Sequence, residues 1–147
     1  MVFLEYERAK IKYYKAQMWF EEALSEQERL LTKTMPSAIS YAKPIVQSSP
    51  NGNVIDDYVI AKEEKRIDKK ISRMRKLMDD REKILKAKEQ ELRKSHDKLD
   101  LVYLNYWIDG LSPEGIAKAL NYSKSQVYRM IGNIKSLIRK DATKCEK

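Results

Sequence analysis

Residues 99–140 read LDLVYLNYWIDGLSPEGIAKALNYSKSQVYRMIGNIKSLIRK, and this stretch decides the fold of the C-terminal third of the chain. Two turn signals divide it into three predicted helices. The Gly-Leu-Ser-Pro segment at 110–113 ends the first helix and opens the second, with Ser112 as N-cap and the proline at the first helical position. Asn121 tolerates the left-handed conformation and ends the second helix, and Ser123 caps a longer third helix.

The apolar residues of the second and third predicted helices recur at helical period. They are Ile116, Ala117 and Leu120 in the second helix, and Val127, Met130, Ile131, Ile134 and Leu137 or Ile138 in the third. A small Ala117, a turn residue four positions later and Val127 six beyond that meet the packing needs of two helices that cross over a short turn. We interpret this pattern as a DNA-binding helix-turn-helix. A helical hairpin with no nucleic-acid role is the alternative.

Three short motifs in this stretch resemble the promoter-recognising fourth domain of bacterial sigma factors: WIDGLS at 107–112, GIA at 115–117 and NYS at 121–123. The sequence QVYR at 126–129, followed by Gly132, is similar to the ArpU-like phage regulators. Those proteins pair a sigma-like C-terminal domain with a helical N-terminal part. The resemblance implies a transcriptional regulator of phage or prophage origin, an activator of late genes, with host RNA polymerase as a further partner.

Positive charge is concentrated in two parts of the chain, which has a formal net charge of +8. Residues 57–94 carry fourteen basic and nine acidic side chains, and residues 110–147 carry eight basic and three acidic ones. Residues 1–35 are neutral overall, and 95–109 are slightly acidic. This distribution favours a polyanionic partner bound by the C-terminal part.

The composition is typical of long solvated helices, with 35% charged residues, four glycines and four prolines. No apolar run approaches the roughly 20 residues of a membrane helix, and the first residues lack the pattern of a signal peptide. The single cysteine, Cys145, has no partner for an internal disulfide. We therefore expect a protein of the reducing cytoplasm of a bacterial host cell, with no membrane association.

The first predicted helix covers residues 1–35 and has the four-three spacing of a coiled-coil seam. The seam positions are Val2, Tyr6, Ala9, Tyr13, Ala16, Phe20, Ala23, Gln27 and Leu30, and Leu4, Ile11 and Met18 are expected to broaden the buried stripe. Residues 36–53, rich in proline and serine, form a predicted linker. The second helix is expected to begin between Asn53 and Asp57 and to end near Lys94.

The seam of the second helix consists of Ile60, Ile67, Ile71, Met74, Met78, Leu85 and Leu92, interrupted by Glu64, Arg81 and Lys88. Because the two helices have similar lengths, we predict a long antiparallel helical hairpin over residues 1–94. Its remaining apolar surface is expected to pair with a second copy in a homodimer. The predicted fold is all-α: this hairpin or coiled coil, followed by a three-helix helix-turn-helix domain at 95–147. Ser95 or Asp97 is expected to cap its first helix, with Leu101, Leu104, Trp107, Ile108 and Leu111 buried.

No catalytic set is found in the sequence. His96 and Cys145 are far apart and in polar contexts, so they build neither a zinc site nor a Cys–His nucleophile. A phosphate-binding glycine loop is absent, and Asp79 and Asp80 point to different sides of a helix. We expect a binding protein, not an enzyme, with no cofactor and no metal.

The expected DNA-binding surface is the outward side of the third helix. In a helix-turn-helix, the N-terminal residues of this helix meet base edges in the major groove. Arg129 is expected to pair with guanine and Gln126 or Asn133 with adenine. Backbone contacts are expected from Lys118, Ser123, Lys124, Ser125, Tyr128 and Lys135, with Arg139 and Lys140 further along. Gly132, unusual inside a helix, indicates close approach of another helix or of the DNA backbone.

These observations predict a sequence-specific regulator that binds double-stranded DNA. Two other functions remain open from the sequence. A phage packaging protein of the small-terminase kind also joins a helix-turn-helix to oligomerisation helices, and a sigma-like block also suits an interaction protein that docks on RNA polymerase.

Overall fold

The structure is a computed structural model that describes residues 1–34 and 50–146. Every regular element in these residues is helical, so the all-α prediction is confirmed for the part of the chain described. The elements are α1 (Val2–Thr34), α2 (Pro50–Lys94), α3 (Lys98–Tyr103), which continues into a π-helical turn (Leu104–Ile108), α4 (Pro113–Leu120) and α5 (Lys124–Cys145).

The turns between the C-terminal helices form as the sequence predicts. Ser112 caps α4 by accepting a hydrogen bond from the Gly115 amide at 3.2 Å. Asn121 ends α4 in the left-handed conformation, with φ of 58°. Ser123 caps α5 by accepting from the amide of Gln126. Each of these features depends on a few neighbouring residues, which is why the sequence alone locates it.

The start of α3 and the start of α2 refine the predictions. Asp97, not Ser95, caps α3 by accepting from the Leu99 amide. The predicted start of α2 is wrong by at least three residues, because the helix begins at Pro50 rather than between Asn53 and Asp57. A proline fits the first turn of a helix, where its missing N–H needs no partner. The predicted linker is therefore helical at 50–53, and its remainder, 36–49, lies outside the described residues.

The π-helical turn changes which side chains face the core after α3. The Asp109 amide donates to the Leu104 carbonyl at 2.9 Å, five residues back. The wider turn shifts the following residues out of α-helical register. Leu111 is 40% exposed, so its predicted burial is wrong, whereas Val102 and Tyr103 are fully buried.

Contacts divide the chain into two compact units, Met1–Tyr13 with Arg81–Lys147, and Tyr14–Asp80. In the first unit, Lys88 pairs with Glu5 at 2.7 Å and Arg81 donates to the Lys12 carbonyl at 2.7 Å. The order of these contacts makes the two helical segments antiparallel within the unit. The interruptions in the α2 seam thus supply polar contacts to α1.

In the second unit, Glu26 pairs with Lys70 at 2.9 Å and with Arg66 at 3.2 Å. The Arg75 guanidinium lies 5.6 Å from the centre of the Phe20 ring. Here too the segments of α1 and α2 run in opposite directions. The basic partners lower the pKa of Glu26, chiefly through the hydrogen bond from Lys70.

The seam of α1 buries small residues, and of the three residues expected to broaden it only Leu4 is partly buried against the core. Ala16 and Ala23 are fully buried, and small side chains allow close approach of a neighbouring helix. Ile11 is 46% and Met18 59% exposed, so the prediction that they broaden the buried stripe is wrong. Only one edge of α1 is covered by α2 at these positions.

The core of the first unit brings the first turn of α1 against α3 and α5. Phe3 stacks on Tyr103 with ring centres 5.4 Å apart, and Tyr103 stacks on Trp107 at 5.1 Å. The buried carboxylate of Asp100 accepts from the Val2 and Phe3 amides at 3.3 and 3.0 Å. Residues 1–13 therefore group with the C-terminal block. The sequence instead predicts a domain boundary between residues 94 and 95, and that boundary stays a prediction.

Candidate nucleic-acid interface

The buried side of α5 fixes the orientation of its exposed side. Val127 and Ile134 are fully buried and Ile131 is 5% exposed, so all three lie in the core. Ile116 of α4 is fully buried in the same core, which packs α4 against α5. The predicted inner faces of the two helices are confirmed at these positions.

The opposite side of α5 is open to solvent. Nine residues are predicted from the sequence to bind DNA, and the side chains of all nine are exposed: Lys118, Ser123, Lys124, Ser125, Gln126, Tyr128, Arg129, Asn133 and Lys135. Lys118 lies on α4, and the other eight lie on α5 or at its N-cap. Their contact with DNA stays a prediction.

Arg129 is placed on the second turn of α5, next to the exposed Tyr128, which is 57% exposed. No carboxylate among the described residues pairs with the Arg129 guanidinium. Its N–H donors are therefore available to a ligand in the fork geometry that matches the two acceptors of guanine in the major groove.

Gln126 and Ser123 are joined in a capping box. The Gln126 side-chain oxygen accepts from the Ser123 amide at 3.2 Å, and the Ser123 hydroxyl accepts from the Gln126 amide at 3.3 Å. A bidentate bond to adenine needs both the oxygen and the nitrogen of an amide. Gln126 must leave the cap to make that bond, whereas Asn133 is exposed and makes no side-chain hydrogen bond within the described chain. Asn133 is therefore the better candidate for adenine.

Lys124 at the start of α5 faces a carboxylate of α4. Its ammonium lies 3.4 Å from the nearer oxygen of Glu114, and both side chains are more than half exposed. Ion pairs this exposed contribute little to stability. A phosphate can therefore replace Glu114 as the partner of Lys124 at small cost.

The acidic residue nearest the middle of α5 is turned away from the outward face. Asp141 binds the guanidinium of Arg8 through both carboxylate oxygens, and its side chain is only 12% exposed. This hydrogen bond lowers the pKa of Asp141 and keeps it ionised. The outward face of α5 between Lys124 and Lys140 is consequently positive, with Lys135, Arg139 and Lys140 beyond Arg129.

Gly132 lies in the middle of this outward face, one turn after Tyr128. A Cβ atom added to it meets nothing within 4 Å in the described structure. Of the two explanations offered by the sequence, close approach of another helix of this chain is therefore wrong for the described residues. The other explanation, close approach of the DNA backbone, stays a prediction.

Sequence reasoning missed the features that hold α3 and α5 to the start of α1. The hydrogen bonds of Asp100 to Phe3 and of Tyr103 to Glu7 cross 97 and 96 positions of sequence, and the Arg8–Asp141 pair crosses 133. One signal was present: α1 begins without a capping side chain, so its first amides need a partner from elsewhere. Nothing in the local sequence identifies Asp100 as that partner.

Residues 1–34 and 50–146 lack both a metal-ligand cluster and a helix that could span a membrane. No three of the His, Cys, Asp and Glu side chains there are grouped as metal ligands. None of the helices in these ranges is both long enough and apolar enough to span a bilayer.

Comparison with protein-family models, with curated protein sequences and with solved structures gave no match. The geometry and charge of this chain and the short motifs described above support the function proposed below.

Proposed function

We propose that the chain is a sequence-specific double-stranded DNA-binding protein in which α4 and α5 act as a helix-turn-helix and α5 is the recognition helix. The observation that carries the proposal is the division of α5 into two sides. Val127, Ile131 and Ile134 are buried, while Tyr128 and Arg129 of the same two turns are exposed. This is the arrangement that lets the N-terminal half of a recognition helix enter the major groove.

The contacts proposed for α5 fall into two classes. Arg129 reads a guanine and Asn133 reads an adenine, while Lys124, Ser125 and Tyr128 hold phosphates near the positive N-terminal end of the helix. Lys118 on α4 and Lys135 further along α5 add contacts to the sugar-phosphate backbone.

The biological role proposed is that of a phage or prophage transcriptional regulator, an activator of late genes, in the cytoplasm of a bacterial host. The motifs at 107–112, 115–117 and 121–123 and the sequence QVYR at 126–129 support it by resemblance. Contact with host RNA polymerase is part of the same proposal.

The regulator is proposed to act as a homodimer, so that two copies of α5 meet two half-sites on one duplex. Exposed apolar side chains on α1 support self-association. In the unit Tyr14–Asp80, Met18 is 59%, Tyr14 51% and Trp19 42% exposed. Surfaces of this kind mark protein contacts more often than lone exposed residues do.

Substitution of Arg129 tests the reading function. Arg129→Ala is expected to weaken binding to the preferred duplex by about 1–3 kcal/mol and to relax the preference at one base pair. Lys124→Ala, in contrast, weakens all duplexes alike and reduces the salt slope by about one. Lys15→Ala removes the same charge from an exposed site on α1 and serves as the control. Equal affinity of the wild type for every duplex in a competition titration contradicts the proposal.

A further inference from the structure

A row of cations on α2 takes no part in the packing of its unit. Its members recur every three or four residues and share one side of the helix: Lys62, Lys65, Lys69, Arg73 and Lys76. All five side chains are exposed. Ile67 and Met74 mark the opposite side of α2, where Ile67 is only 3% exposed. We call these five residues the α2 cationic stripe.

No residue of the stripe forms an ion pair within the described parts of the chain. Of the neighbouring acidic residues, Glu63 and Asp68 are engaged elsewhere, and Asp80, four residues after the last cation on the same side of α2, lies just beyond the stripe. Glu63 pairs with Arg66 at 3.0 Å, and Asp68 accepts a hydrogen bond from Gln27 at 3.3 Å. Like charges at this helical spacing repel one another. The fold therefore gains nothing from the arrangement, and an anionic partner relieves the repulsion.

The dimensions of the stripe suit the phosphate backbone of a nucleic acid. From Lys62 to Lys76 it extends over about 21 Å, at about 1.5 Å of rise per residue. One strand of B-DNA carries a phosphate every 3.4 Å along the axis, so the same length holds about six phosphates. Counting both strands, about 21 Å of duplex carries about twelve phosphates, of which roughly half face one side, so the five cations meet a comparable number of anions.

The surroundings of the stripe argue against a lipid surface. A helix that lies in a membrane interface places large apolar side chains beside its cations. Ala61 and Ser72 beside the stripe are instead small, and Val59, 53% exposed one turn before Lys62, is a single apolar side chain rather than a continuous apolar face. A soluble polyanion with regularly spaced charges fits this surface better.

We infer that the α2 cationic stripe is a second nucleic-acid contact, which binds the phosphates of duplex DNA without reading its sequence. The choice of duplex DNA as the occupant rests on the proposed function of α5. The stripe itself belongs to the unit Tyr14–Asp80 and shares no residue with the reading surface. Its role is to add affinity that depends on salt and not on the base sequence.

The test is a variant with all five stripe residues changed to glutamine, which keeps helix propensity and removes charge. Binding to a long duplex that contains the preferred site is measured over a range of salt concentrations. We expect the slope of log K against log salt to become shallower by about 3 to 4, and binding at 0.1 M salt to weaken about 10³-fold. The ratio of affinities for preferred and unrelated duplexes stays unchanged. Circular dichroism verifies the helical content of the variant.

The matched control removes five positive charges from exposed positions outside both surfaces, by changing Lys12, Lys15, Lys94, Lys98 and Lys144 to glutamine. We expect its salt slope to stay within about one of the wild type. An equal loss in both variants overturns the inference, because net charge then explains the effect. An unchanged slope in the stripe variant overturns it as well. The inference is also overturned if the stripe variant loses binding to phosphatidylserine vesicles while its binding to duplex DNA is unchanged.

The two proposals fail in different ways. If the wild type prefers one duplex and the stripe variant binds it with unchanged slope, the inference about the stripe is wrong and the proposed function of α5 stands. If the wild type binds duplexes with no sequence preference but the stripe variant loses the salt dependence, the stripe contact stands and reading by α5 is wrong.

Discussion

At the scale of single residues, Gly132 is a mid-helix glycine that no contact within the described chain requires. Its backbone conformation is helical, and space is open where a side chain would be. A glycine inside a helix costs about 1 kcal/mol relative to alanine. Close approach of DNA to the α5 backbone explains why a glycine, with no side chain, is found at this position.

Gly132→Ala is predicted to stabilise the protein by about 1 kcal/mol, because alanine has the higher helix propensity and the added Cβ meets no atom. The same change is predicted to weaken duplex binding, since the methyl group then stands between α5 and the DNA. Chemical denaturation and a binding titration measure the two effects.

Ser136→Ala is the control for this prediction, because Ser136 is exposed one turn further along the same face. It raises helix propensity without adding bulk, and duplex affinity should stay near that of the wild type. If the Gly132→Ala variant binds duplex DNA as tightly as the wild type, DNA does not approach α5 closely at this residue.

The raised pKa of Tyr103 makes the stability of the fold depend on pH in alkaline solution. Its ring is buried between Phe3 and Trp107, and its hydroxyl donates a hydrogen bond to Glu7. Burial, and then the contact with Glu7, raise the pKa of Tyr103 well above its usual value of 10. The folded state thus keeps Tyr103 neutral at a pH where the unfolded chain ionises.

The contribution of Tyr103 is therefore complete below pH 10 and is lost as the pH rises above it, by about 1.4 kcal/mol per pH unit. At pH 8, Tyr103→Phe is predicted to be less stable than the wild type by about 1 kcal/mol, through loss of the hydrogen bond. The difference should disappear near pH 11. Urea denaturation of both proteins at the two pH values measures it, and the phenylalanine variant controls for the titration of lysines. A constant difference between the two proteins contradicts this account.

At the scale of the helical elements, the sequence predicts what local rules determine. The caps at Ser112 and Ser123 and the left-handed Asn121 follow from residues within one turn of each feature. The π-helical turn at Leu104–Ile108 does not, because an apolar pattern with helical period cannot show an inserted residue. Leu111 follows the positive-φ Gly110 and lies outside the helix, so helical spacing did not predict its exposure.

The docking of α1 belongs to the same scale and could not be predicted. Asp100 supplies hydrogen bonds to the first amides of α1 and accepts another from the Ser95 hydroxyl at 2.7 Å. In the sequence, nothing distinguishes Asp100 from any other polar residue of α3. Only the folded chain places it beside Val2 and Phe3, since these contacts cross nearly 100 positions of sequence.

The exposed side of α1 gives a prediction about self-association. Met18→Lys is expected to weaken the proposed homodimer by about 100-fold or more, because an unpaired charge buried in an interface costs about 3 kcal/mol or more. Sedimentation equilibrium over a range of concentrations measures the change.

Ile84→Lys is the matched control, since Ile84 is 55% exposed on α2 and lies outside the proposed contact. It should self-associate as the wild type does. A wild-type protein that is monomeric at all concentrations contradicts the dimer. A ring of many subunits instead favours the packaging protein that the sequence left open.

At the scale of the whole molecule, the sequence predicts how charge is distributed along the chain. It does not predict which charged side chains share a surface. Counting charges identifies residues 57–94 and 110–147 as basic. The structure adds which cations are engaged: Lys70 and Lys88 pair with carboxylates of α1, while Arg129 forms no ion pair in the described residues. The two groups of exposed cations proposed here to bind DNA lie on the outward face of α5 and in the α2 cationic stripe.

The central claim is that α5 reads base sequence, and selection of bound duplexes from a random pool tests it most directly. The account predicts that the wild type enriches one short motif that includes a guanine, and that Arg129→Ala no longer selects that guanine while keeping the rest of the motif. A pool that stays random after repeated selection by a folded wild-type protein contradicts the claim.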